Sequence, residues 1–178
     1  MKFFTVTLLG LGVIFSSNAN ADESLTLGAS IGYVNIKNDN PGFDFDANYT
    51  GYKFYANYTF SSNLAIEGGY VDFGSPEDIV GGFPGEIDAS GWNIYGVGNV
   101  PLSDDVNVFT KAGVVAWEAD SIIDGFLVNA DDGTDLALGF GARWNSSESF
   151  GIRAEVDWFD IDEADSLWMA SVGFELRF

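Results

Sequence analysis

Eight times along this chain, apolar and polar residues alternate over roughly ten positions, and that recurrence limits the fold more than any other feature. A period of two sends successive side chains to opposite faces of a strand. The segments are 24–36, 51–60, 64–73, 91–100, 106–117, 134–144, 150–159 and 166–178. In the first, Leu25, Leu27, Ala29, Ile31 and Tyr33 alternate with Ser24, Thr26, Gly28, Ser30 and Gly32. The last sets Trp168, Ala170, Val172, Phe174, Leu176 and Phe178 against Ser171, Gly173, Glu175 and Arg177. Segment 91–100 is less regular: Trp92, Ile94 and Val100 oppose Asn93 and Asn99, while Tyr95 and Val97 leave its register open.

Strands of about ten residues match the span of a tilted β-strand across a bilayer. The connectors supply an independent signal. Those at 61–63, 101–105 and 145–149 are short, those at 37–50, 74–90 and 118–133 are long, and 160–165 is shorter and acidic. Eight strands then put both termini and every short turn in the periplasm, with the long loops outside. The expected fold is all-β, an eight-stranded antiparallel up-and-down transmembrane β-barrel. With 22 glycines and 16% aromatic residues, the composition suits short, closely packed strands.

The first residues carry a different message. Met1-Lys2 is followed by an apolar run from Phe3 to Phe15, a polar Ser16-Ser17-Asn18, and then Ala19-Asn20-Ala21 before Asp22-Glu23. This is the three-part pattern of a secretory signal peptide, with Ala19 and Ala21 as the small residues read at cleavage. Residues 1–21 are therefore expected to be the signal peptide, and 22–178 the barrel domain.

Charge distribution argues for which face is inside. The chain has 27 acids and 7 bases, a formal net charge of −20. Lys53, Lys111, Arg143, Arg153 and Arg177 fall on the polar strand face, together with Glu67, Glu155, Asp157 and Glu175; the other acids crowd into connectors and strand ends. Charges in a narrow lumen cost several kcal/mol each unless they pair, so a near-balanced set on one face fits an interior. From this face, Lys53, Glu67, Lys111, Arg143, Arg153, Glu155 and Glu175 are the expected lumen ion-pair network. A soluble periplasmic lipid-binding barrel, with its apolar face inward, remains the opposite assignment.

The C-terminus, Ser171-Val172-Gly173-Phe174-Glu175-Leu176-Arg177-Phe178, has the spacing polar-x-Gly-x-x-hydrophobic-x-aromatic. It looks like the β-signal read by the barrel assembly machinery, with Ser171, Gly173, Leu176 and Phe178 at the specified positions. With it come Leu64-Ala65-Ile66-Glu67-Gly68-Gly69-Tyr70, Val108-Phe109-Thr110-Lys111-Ala112-Gly113 and Arg153-Ala154-Glu155-Val156-Asp157-Trp158. On these residues the chain resembles the OmpA-like and OmpX-like small outer-membrane β-barrel families over 22–178. The resemblance implies that Glu67, Lys111, Arg153 and Glu155 are lumen residues forming ion pairs that plug or gate the barrel. Arg143 stands where that family tends to place another acid, which leaves the pairing scheme open.

Other chemistry finds little support. Without cysteine or histidine there is no disulfide framework, thiolate metal site or histidine base, and no phosphate loop or nucleophile elbow occurs. Neither a catalytic centre nor a cofactor is expected. So acidic a chain has no basic face for nucleic acid. The acidic connectors, with Asp39, Asp44 and Asp46, then Asp120, Asp124, Asp131 and Asp132, then Asp160, Asp162, Glu163 and Asp165, are candidates for divalent cations shared with lipopolysaccharide. The expected protein is an integral outer-membrane barrel of a Gram-negative bacterium with a structural, surface-interaction or adhesive role. Its expected partners are membrane lipid, lipopolysaccharide, the assembly machinery and a host or surface ligand. The alternative readings are a narrow porin-like channel gated by the lumen ion pairs and the soluble barrel.

Overall fold

Alternation of this kind satisfies the backbone only if each strand finds neighbours on both sides, and in a membrane the last must pair with the first. The computed structural model describes residues 24–40, 43–75, 77–80, 83–161, 164 and 166–178. The strands are β1 (Ser24–Asn40), β2 (Phe43–Ser61), β3 (Leu64–Gly74), β4 (Glu77–Val80), β5 (Phe83–Pro101), β6 (Val106–Ile123), β7 (Phe126–Asn145), β8 (Phe150–Asp160) and β9 (Ser166–Arg177). All neighbouring pairs are antiparallel, β1 pairs with β9, and β3 pairs with β5. Eight strands thus close a barrel. The ninth, β4, is a short flap paired only with the outer end of β5. The expected leader, with Ala19 and Ala21, lies outside the described residues.

The three short turns share one device. The hydroxyls of Ser61, Ser103 and Ser147 each accept from the backbone N–H three residues on, at Leu64, Val106 and Phe150, all at 3.1 Å. Each turn is closed locally by a serine that competes for backbone groups where the ladder ends.

At the other end the structure departs from the expected long loops. Strands β1 and β2 continue their ladder to Asn40↔Phe43, and β6 and β7 to Ile123↔Phe126. The latter hairpin turns through Asp124 and Gly125, both at positive φ (50° and 78°), as a two-residue turn between twisted strands requires. Stretches expected as loops are largely extensions of the barrel wall.

The outer surface divides into two zones. Leu27, Ile31, Phe54, Ile66, Ile94, Val114, Leu138, Phe140, Val172 and Phe174 point out and are exposed. This apolar band ends in a girdle of Tyr33, Tyr52, Tyr70, Trp92, Trp158 and Trp168. Within it Tyr33 packs on Trp168 (5.5 Å between centroids) and Tyr70 on Trp92 (5.2 Å). Such a ring marks a membrane interface. Beyond it the same outward positions turn polar: Asn35, Asp46, Asn48, Asp72, Asp88, Glu118, Asp120, Asp132 and Asp160. The membrane therefore ends at the girdle, and the hairpins rise above it.

Candidate functional site: the barrel interior

Inward positions of six strands converge on one ionic cluster. Along β8, Arg153, Glu155 and Asp157 are successive inward residues, facing Lys53 from β2, Glu67 from β3 and Lys111 from β6. Arg153 grips Glu67 with both arms, Nη1 to Oε2 at 2.5 Å and Nη2 to Oε1 at 3.1 Å, and Nη2 also reaches Glu155 at 2.5 Å. Such two-point pairing is the strong form of a charge-assisted hydrogen bond. Its guanidinium lies between two rings, 4.5 Å from the centre of Tyr55 and 4.3 Å from that of Phe109. The Lys111 ammonium meets Glu67 at 3.1 Å and both Glu155 and Asp157 at 2.9 Å, and lies 4.4 Å from the Tyr95 ring centre. Lys53 pairs with Glu155 and Asp157.

Nearer the periplasm, Arg143 of β7 pairs with Glu175 of β9, and Glu175 also reaches Arg153 at 3.4 Å. All seven residues expected in the lumen network are buried there, and the partner of Arg143 is Glu175. The sequence reading left out Asp157, which is fully buried and contacts two lysines. With it, four bases face four acids. Tyr55, Tyr95 and Phe109 were also missed; the irregularity at Tyr95 and Val97 arises because both point inward.

Space for these long side chains is made by glycine. At Gly139, cross-strand from both Lys111 and Asp157, a Cβ would meet Lys111 Cε at 2.6 Å and Asp157 Oδ1 at 2.5 Å. At Gly28 it would enter the Tyr55 ring, 2.2 Å from Cζ.

Above the ionic layer the interior becomes apolar. Val34, Val71, Val115, Ala137 and Met169 form a fully buried septum, roofed by Phe73 edge-on to Phe159 with centroids 4.9 Å apart. Above that, within the wall beyond the girdle, lies a cavity of about 410 Å³ lined by Ile36, Ile87, Trp117, Ile161 and Leu167 among others.

The terminal motif is divided between the faces. The Ser171 side chain is buried inside, while Leu176 and Phe178 are exposed on the lipid side, at 44% and 73%. Gly173 lies in the seam where β9 meets β1; a Cβ there would stand 2.2 Å from the Ala29 carbonyl oxygen. The Phe178 N–H donates to the Leu25 carbonyl at 2.9 Å, so the ladder runs to the final residue.

Among the acids proposed for cations, the side chains of Asp39, Asp44, Asp162, Glu163 and Asp165 lie outside the described residues. Asp46 pairs with Lys37 at 3.3 Å, and Asp131 accepts from Asn129 at 2.5 Å. Among the described residues no three acids gather as a metal site.

With the geometry in place, comparison with known proteins is direct. Residues 6–178 match the family model described as "Outer membrane protein beta-barrel domain". Outer membrane protein A of Klebsiella aerogenes is 29% identical over 85 residues, 44% of this chain, and the match covers 24% of that relative's length. Among solved structures, Neisserial surface protein A superposes with a TM-score of 0.69 at 12% identity over 86% of this chain and 97% of its own. Ail of Yersinia pestis, solved with the heparin analogue sucrose octasulfate, gives 0.63 at 17% identity over 88% and 99%. The N-terminal β-barrel domain of Pseudomonas aeruginosa OprF gives 0.63 at 15% identity over 88% and 98%.

Proposed function

The chain belongs to the outer membrane protein β-barrel domain family, and on that premise we propose that it is a non-catalytic outer-membrane protein whose task is performed at its outer surface. The single observation that carries this reading is the filled interior. An ionic layer with balanced charge and an apolar septum stacked on it obstruct the lumen twice, by different chemistry. An eight-stranded barrel leaves no spare width around such side chains. A channel would have to break several buried pairs and wet the septum as well.

What remains is the part above the girdle. It is a crown of paired hairpins, acidic on its outside, with an exposed apolar tip at Phe126 and Leu127 (73% and 61%) joined by Phe83 (55%). Exposed apolar groups at the end of a projection favour contact with another surface, and this supports the adhesive or surface-interaction role. The acidic positions just above the girdle, Asp46, Asp72, Asp88, Glu118, Asp120 and Asp132, stand at headgroup height, where divalent cations could join them to lipopolysaccharide phosphates. A polyanion such as the one bound by Ail would be repelled by a chain of net charge −20. The ligand expected here is apolar or cationic.

Two arms test the reading. In planar bilayers the protein should give no steady ion conductance, and Phe126→Ser with Leu127→Ser should lower adherence of expressing cells while the barrel still folds. Steady conductance through folded wild type would favour the channel; unchanged adherence would remove the tip from the surface role.

A further inference from the structure

The wall reverses its polarity at the girdle. Along β6, below the girdle, Lys111 points in and Ala112 and Val114 point out; above it, Trp117, Ala119 and Ile123 point in while Glu118 and Asp120 point out. Below, the barrel is built for lipid. Above, it has the apolar-in, polar-out arrangement of a water-soluble barrel that holds a ligand. A protein that only needed a plug would have no reason to keep an apolar cup above it, beyond the girdle. The volume, about 410 Å³, lies in the range of small-molecule sites.

From this we infer that the cup above the Phe73–Phe159 floor is a binding site for one small aliphatic amphiphile with a cationic head, taken from the external medium. The tail is specified by Ile36, Phe73, Ile87, Trp117, Ile161 and Leu167. The head is specified by charge. Asp131 sits at the exposed rim and is the carboxylate of the lining; Asp135, outside the lining and cross-strand from Val115, accepts the Trp117 indole N–H at 2.6 Å. Among the described residues neither carboxylate has a cation within ion-pair distance. Among the described residues the one base at this height, Lys37, points outward to Asp46. A fatty acid or other anionic amphiphile would bring its charge to an acidic mouth, whereas an alkylammonium would be held there. The inference goes beyond the surface role proposed above and concerns only the interior of the crown.

The test uses the folded protein in phospholipid nanodiscs with its isoleucine methyls labelled for NMR. Isoleucine supplies its own control: Ile36, Ile87 and Ile161 line the cup, and Ile31, Ile66, Ile94 and Ile152 face lipid. Decylammonium should shift the cup methyls saturably, at a concentration on the order of tenfold lower than decanoate. Asp131→Asn should shrink that difference, and Ala119→Phe, which fills the cup, should abolish the saturable shift. Linear shifts confined to the lipid-facing methyls, with the cup methyls still, would mean bilayer partition alone and overturn the proposal. Equal affinity for decylammonium and decanoate, unaffected by Asp131→Asn, would overturn the cationic head. Because the wild-type spectra alone decide the first point, a variant that fails to fold leaves the test intact.

Discussion

Arg153 carries the heaviest burden of any single side chain. It is 1% exposed, joined to Glu67, Glu155 and Glu175 and held between Tyr55 and Phe109. Removing one member of a buried pair leaves the others charged and unpaired, which costs about 3–5 kcal/mol, more than the intact pair itself contributes. Arg153→Met should therefore destabilise the barrel by about that amount in urea titrations of protein in lipid vesicles. Adding Glu67→Gln should recover part of the loss, a coupling that a double-mutant cycle reads directly. A loss below about 1 kcal/mol would mean that water reaches these carboxylates. Parity alone made the lumen charges legible, since Lys53, Lys111, Arg143, Arg153 and Arg177 all fell on the polar face and only Lys37, at the outer end of β1, did not. It could not decide partners, because residues far apart in sequence meet only when the barrel closes: Lys53 and Glu155 lie on opposite halves of the chain. Asp157 was on the right face but needed the contact with Lys111 and Lys53 to be recognised as part of the cluster.

Elements proved easier to count than to delimit. Alternation identifies a strand only while its two faces meet different surroundings, and above the girdle the contrast changes sense. In 118–133, acids occupy both parities, yet the ladder of β6 and β7 runs on because backbone pairing does not depend on side chains in water. The Asp124-Gly125 pair is a readable hairpin signal in the middle of that acidic stretch. The flap β4 is four residues long and has no alternation to show. The closing strand is the most exacting element: Gly173 admits close approach to β1, and Phe178 makes the last ladder bond. We propose that its Ser171, Gly173, Leu176 and Phe178 form the assembly signal, recognised through edge pairing with a specified aromatic. Deleting Phe178 should lower the amount of heat-modifiable barrel in outer membranes. Deleting Arg143's partner by Glu175→Gln should instead reduce stability after insertion. Normal accumulation of the Phe178 deletion would remove the signal from the account.

As a whole, the molecule is two barrels built on one continuous wall, with opposite faces apolar above and below the girdle. The membrane reading came from the lower part, where the charges are inside; above the girdle the inward residues turn apolar. Neither pattern could be placed along the barrel axis from sequence, because strand tilt and register set which residues share a height. Lipid touches only the outward face, and only below the girdle. Arginine substitutions along β6, at Ala112 and at Glu118, test it in one strand. In lipid vesicles Ala112→Arg should cost about 2–4 kcal/mol, as arginine does near the bilayer midplane, and Glu118→Arg no more than about 1 kcal/mol, as it does near the interface. Equal costs at the two positions, or a larger one at Glu118, would contradict it.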